Sequence, residues 1–104
     1  MLSKKYRLPS LEFNSNWEST IVSKFFILKI KNNNINQNRI GIIISSSILK
    51  SAVRRNFWRR RIMEYFKLFK NDNKDFLIIL SKNIKNCSLK EFKEVFSKTF
   101  INYK

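Results

Sequence analysis

The chain reads SAVRRNFWRRRIMEYF over residues 51–66, and of its seven arginines Arg54, Arg55, Arg59, Arg60 and Arg61 all lie between positions 54 and 61. A guanidinium group offers a planar fork of donors, stays charged at any cellular pH and matches the geometry of phosphate. On a helix turning by about 100° per residue, Arg55 and Arg59 stand one turn apart, as do Asn56 and Arg60, and Met63 and Lys67 continue the same band. Glu64 is the only acid between Glu18 and Asp72, so local carboxylates cannot neutralise the row. A line of like charges is costly unless an external anion offsets it, and the band is therefore expected to meet a polyanion. Arg54 and Arg61 project towards the opposite edge of the apolar stripe and add general charge. Phe13 and Trp17, four residues apart, are either ordinary core residues or a platform on which bases could stack. Arg7 is a possible further contact near the amino end, and Lys67 extends the band towards its other end.

Other chemistries are poorly supplied. Histidine is absent, and a single cysteine, Cys87, makes neither an internal disulfide nor a metal cluster. Seven scattered acids suggest neither a general base nor a carboxylate pair for two metals, so no residue is assigned a catalytic role and no bound cofactor is expected. Lys and Arg total 22 against 7 Asp and Glu, a net charge of +15 that points to nucleic acid as partner. Lysine, asparagine, isoleucine and phenylalanine are all heavily used, as in an A+T-rich genome, so the crowd of the rarer arginine says more than the net charge. No apolar run of about 18 residues occurs, which argues against a membrane helix. The opening MLSKKYRLPS lacks the apolar core of a signal peptide, and the expected location is the cytoplasm.

The elements that must position these groups fit one domain spanning residues 1–104. Ser10 is a candidate cap for a short first helix carrying Leu11, Phe13 and Trp17. TIVSKFFILKIK reads as a short strand near Ile21 and Val22 and a longer one from Lys24 to Lys31, NNNINQN as a polar hairpin loop, and RIGIIIS as a buried strand. Over 51–69 the period becomes helical, with Trp58, Ile62, Tyr65, Phe66 and Phe69 on one core-facing side. FLIIL at 76–80 is a fourth strand, and Ser88 with Glu91 forms a capping box for a last helix. The order αβββαβα is an α+β sandwich of helices on a four-stranded sheet. The register of Lys24, Lys29 and Lys31 stays open in two ways, because a slip of one residue exchanges the faces.

The stretch RIGIIISSSILKSAVRRNFWRR resembles the signature of the bacterial ribonuclease P protein component, a glycine-containing strand followed by a helix bearing Ala-Val-x-Arg-Asn-Arg-x-Lys-Arg. Ala52, Val53, Arg55, Asn56, Arg59 and Arg60 match it, Arg59 standing for the family's lysine. YRLPSLEF is similar to the family's amino-terminal Arg-Leu and Phe-bearing first helix. Phe57, Ser46, Ser47 and Met63 depart from the pattern at positions where it carries cations, Arg61 replaces an apolar residue, and one extra residue separates Gly41 from Ala52. The resemblance implies a ribonuclease P protein-like fold, of a type also found in a domain of a ribosomal protein. It further implies the non-catalytic subunit of an endoribonuclease that removes the 5′ leader of precursor tRNA, with hydrolysis carried by the RNA subunit and its Mg2+. Arg55, Asn56, Arg59 and Arg60 would then bind ribonuclease P RNA, Phe13 and Trp17 the leader, in a one-to-one complex with no DNA or membrane partner. A basic ribosomal or other structural RNA-binding protein with no part in cleavage is the alternative.

Overall fold

The computed structural model describes residues 7–13, 16–69 and 73–101. Alternation of apolar and polar residues in FILKIKN produces strand β2, Phe26–Asn32, with Phe26, Leu28 and Ile30 buried and Lys29 and Lys31 on the other face. It pairs antiparallel with the short edge strand β1, Ser19–Val22, and with β4, Lys74–Leu80. Strand β3, Arg39–Ile43, lies parallel to β4 on its far side, giving the order β1-β2-β4-β3. Helix α1, Ala52–Phe66, makes the crossover between β3 and β4, and α2, Leu89–Ile101, follows a 3-10 turn at Lys82–Asn86. β4 is covered on both faces, residues 75 to 78 being buried in succession, which is why its apolar run is continuous rather than alternating.

Both helices cover one face of the sheet. Trp58, Ile62 and Phe66 of α1 and Phe92, Phe96 and Phe100 of α2 are buried against Phe26, Leu28, Ile30, Phe76 and Ile78. Aromatic rings knit the layers: Trp58 and Phe92 have centroids 5.0 Å apart, and Phe66 meets Phe76 edge-on at 5.6 Å. Tyr65 and Phe69, expected on the same stripe, pack at its half-buried margin. The capping serine of α2 is as expected, with the Glu91 amide donating to Ser88 Oγ at 3.1 Å. The reciprocal half of the box is diverted, because the Glu91 carboxylate pairs with Lys24 at 2.9 Å.

The first helix differs from expectation. Ser10–Glu12 form a single 3-10 turn in which Pro9, not Ser10, holds the cap position and no side chain caps it. The amides of Glu12 and Phe13 donate to the carbonyls of Pro9 and Ser10, at 2.9 and 3.1 Å. Trp17 lies outside any helix, and residues 14 and 15 are not among those described. The cause is tertiary, since the segment is drawn flat onto the sheet: the Leu8 amide donates to the Ile40 carbonyl at 2.9 Å, Arg7 bridges to Ile40, and Phe13 rests on β3.

Candidate nucleic-acid interface

Helix α1 is fixed at its start by Ser51, whose side chain accepts from the Arg54 amide at 3.3 Å, and along its length by Trp58, Ile62 and Phe66 in the core. With that side buried, Asn56 and Arg60 are turned to solvent, and Arg59 is half-buried at the edge. Among the described residues no carboxylate or hydrogen bond engages the guanidinium of Arg54, Arg59 or Arg60. Arg55 differs from the wholly outward cation expected of it: it is half-buried, and its Nη1 donates to the carbonyls of Leu49 at 2.7 Å and Lys50 at 3.0 Å. It fastens the β3–α1 connection while keeping its charge and its remaining donors. Arg61 is held to Glu64 at 3.1 Å and lies 4.9 Å above the Phe57 ring. The backbone bridge at Ile40 carries Arg7 to the helix, where Arg7, Asn56, Arg59, Arg60 and Met63 line one groove. Lys67, the residue that ends α1, is exposed but takes no part in lining it.

A second surface forms on the sheet face opposite the helices. The register settles which side chains it holds: Ile27, Lys29 and Lys31 from β2, Arg39, Gly41 and Ile43 from β3, and Asp75, Leu77 and Ile79 from β4. Lys24 precedes β2 and is engaged with Glu91 instead. Phe13 lies on this face over Gly41, so closely that a Cβ there would clash with Phe13 Cε1. Only glycine lets the ring seat, and Gly41 is the one glycine of the chain. Trp17 joins Phe13 without a helix, its Nε1 donating to the Phe13 carbonyl at 3.0 Å. Lys31 Nζ is placed 5.2 Å above the Trp17 ring and is bound to Glu12 at 3.1 Å. Both aromatic residues are half-buried, so each is anchored on the protein and partly open to solvent.

Beneath the aromatic pair lies a polar anchor that sequence reasoning missed. Asp75 is 1% exposed and accepts from Arg39 Nε and Nη2, both at 2.8 Å, and from Asn33 Nδ2 at 2.8 Å. The hydrogen bond to Asp75 pushes the Arg39 guanidinium above its usual range, against the opposing effect of burial. Lys31 approaches the same carboxylate at 3.9 Å. Asp75 thus ties β2, β3 and the 32–38 loop to β4. In sequence it follows a polar breaker, and nothing local marks it as buried.

A model of the ribonuclease P family matches residues 9–104. The chain belongs to that family. It is 32% identical over 78 residues to the ribonuclease P protein component of Vibrio vulnificus strain YJ016, a match covering 73% of this chain and 66% of that protein. The chain thus spans about two thirds of the length of the curated relatives it matches. The fold is that of the ribonuclease P proteins of Staphylococcus aureus, with TM-score 0.81, 23% identity and 95% of each chain covered, and of Thermotoga maritima, with TM-score 0.73 and 19% identity over 90% of this chain and 94% of that one.

Within this ribonuclease P family member, three of the departures from the family pattern, Ser46, Ser47 and Phe57, fall on exposed positions, whereas Arg61 and Met63 are half-buried and Met63 packs against the core. Ser46 and Ser47 are exposed in the turn after β3, where Ser45 and Ser47 hydroxyls bond at 2.6 Å, and Phe57 is 38% exposed on α1. None of these three is a core position, so the fold is indifferent to their charge. The residues that sequence reasoning left unassigned are Lys29, Lys31 and Gly41. Gly41 had a signal, a lone glycine inside a strand pattern, which marks a close approach to its backbone.

Proposed function

We propose that this chain is the protein subunit of ribonuclease P, binding the catalytic RNA along α1 and the 5′ leader of precursor tRNA across the open face of the sheet. The observation that carries the reading is the groove of Arg7, Asn56, Arg59 and Arg60, whose arginines meet no carboxylate among the described residues. Each phosphate neutralised there releases condensed counterions, so binding weakens steeply with salt. Phe13 and Trp17 supply ring surface for bases of any identity, and Lys29 and Lys31 supply charge beside them, which suits a leader of variable sequence.

Hydrolysis is assigned to the RNA subunit and its Mg2+. Of the described acids, Glu12, Glu64, Asp75 and Glu91 each pair with a lysine or arginine of the chain and Glu18 accepts from the Asn32 amide, and among the described residues no three acids gather where they could hold a metal ion. The expected setting is cytoplasmic, with one protein per RNA; among the described residues no helix is long and apolar enough to cross a membrane.

Reconstitution tests the reading. Added to a bacterial ribonuclease P RNA at low magnesium, the purified chain should accelerate cleavage of precursor tRNA, and more so for substrates that carry a leader. Equal rates with and without protein, on RNA that is folded, would exclude this function in favour of a structural RNA-binding protein.

A further inference from the structure

Phe57 is the aromatic residue of a helix face that also carries Val53, Asn56, Arg60 and Arg61. With Val53, Asn56, Arg60 and Arg61 it lines a shallow depression that shares Asn56 and Arg60 with the groove on the Arg7 side. Val53 is 78% exposed and Phe57 38%, yet their neighbours are charged, so the patch is not an apolar surface of the kind that pairs with another protein's core. The ring is held, its centroid 5.6 Å from that of the buried Trp58 at an interplanar angle of 85°. A planar cation, Arg61, already lies over it at 4.9 Å, and that side chain is itself partly exposed. Asn56 presents an amide with both a donor and an acceptor, with no hydrogen-bond partner among the described residues. Aromatic face, bidentate amide and guanidinium group within two helical turns are the components needed to hold one nucleotide by base and phosphate.

We propose that this depression is a binding site for a single unpaired nucleotide of an RNA. The base stacks on Phe57 in the place that Arg61 occupies, the Asn56 amide meets the base edge, and Arg60, which meets no carboxylate among the described residues, takes the flanking phosphate. Arg61 leaves the ring and stays paired with Glu64. The inference rests on the RNA-binding reading above and adds to it a base-contacting position on a face otherwise suited to backbone phosphates. Charge complementarity selects nucleic acid over protein as the occupant, and a stacking site selects an unpaired base over a duplex.

The test uses the full chain and two probes, an eight-nucleotide single-stranded RNA carrying one photoreactive uridine and the perfect duplex of the same sequence. Irradiation of the single-strand complex should join the uridine to the peptide containing Phe57, with little product from the duplex. In a Phe13→Ala background, which removes the anchored ring of the proposed leader surface, Phe57→Leu, which keeps an apolar side chain at a partly exposed site, should weaken single-strand binding about tenfold and leave the slope of log K against log salt unchanged. Arg60→Gln in that background should instead lower the slope by about one. Unchanged affinity on adding Phe57→Leu to Phe13→Ala, or photoproducts confined to other peptides, overturns the site while leaving ribonuclease P activity in reconstitution intact. Failure of the wild-type chain to bind either probe or the ribonuclease P RNA overturns the functional reading and this site together. Equal photoproduct from the duplex overturns the selection of an unpaired base.

Discussion

At Phe13 the consequence of one missing methyl group can be followed from covalent structure to function. The ring occupies space that a Cβ on residue 41 would claim, so Gly41→Ala should lift Phe13 from the sheet. The proposed leader surface then loses its anchored ring while α1 keeps its cations. The expected result is loss of preference for leader-bearing substrates with little change in affinity for the RNA subunit, read by comparing cleavage of substrates with and without a leader. Asp75 makes a different prediction. Asp75→Asn leaves Arg39 without its charged partner in a nearly closed site, a change that costs about 3 kcal/mol and lowers the melting temperature by roughly 10 °C or more, measurable by circular dichroism. At Cys87, burial pushes the thiol up to about 11, with Glu91 adding to the effect. Because this folded value exceeds the ordinary 9, the protonated form is favoured in the fold. The associated stability is complete below the unfolded value and is lost as pH rises through the folded one. Alkylation of Cys87 at pH 8 should accordingly be much slower than that of a peptide thiol. Phe13 and Trp17 were legible as an aromatic pair; that a glycine 28 positions beyond Phe13 seats its ring was not, because no local pattern encodes a contact between distant segments.

Helix α1 was legible in sequence because its apolar side repeats at helical spacing, although the pattern ran on to residue 69 while the helix stops at Phe66 and the Ser51 cap emerged only in the structure. The helix nonetheless uses its cations unequally. Arg55 spends part of its fork on the Leu49 and Lys50 carbonyls, so Arg55→Ala should lower both stability and RNA affinity, whereas Arg60→Ala should lower affinity alone. Thermal melts set beside salt titrations of RNA binding separate the two effects. The turn before the helix invites the opposite change. Ser46 and Ser47 are exposed, and the double variant Ser46→Lys, Ser47→Lys should tighten binding to the RNA and steepen its salt slope by up to about two. An unchanged slope would place that turn away from the RNA. The first element was misjudged for a reason that also belongs to this scale: Pro9 and Ser10 can open either an α-helix or a 3-10 turn, and docking onto β3, not propensity, chose between them.

For the whole molecule the dominant quantity is a charge of +15 on 104 residues, which opposes compaction until counterions or RNA screen it. The melting temperature should therefore rise with added salt in the absence of RNA, and binding of the RNA subunit should raise it further; a melting temperature indifferent to salt would show that the repulsion is already balanced internally. What the sequence by itself determined is the four strands and the two long helices, their core faces and the cationic band, because hydrophobic periodicity and the crowding of arginine without acids are local properties of the chain. Only the tertiary structure decided the rest. The register of β2 put Lys29 and Lys31 on the open face and Lys24 beside Glu91. The bridge at Ile40 carried Arg7 to α1, and the buried Asp75 gathered Arg39 and Asn33 beneath the aromatic pair. These are contacts between residues far apart in the chain, and their energy is realised only when strand pairing brings them to within hydrogen-bonding or van der Waals distance, a condition that no stretch of sequence read alone expresses.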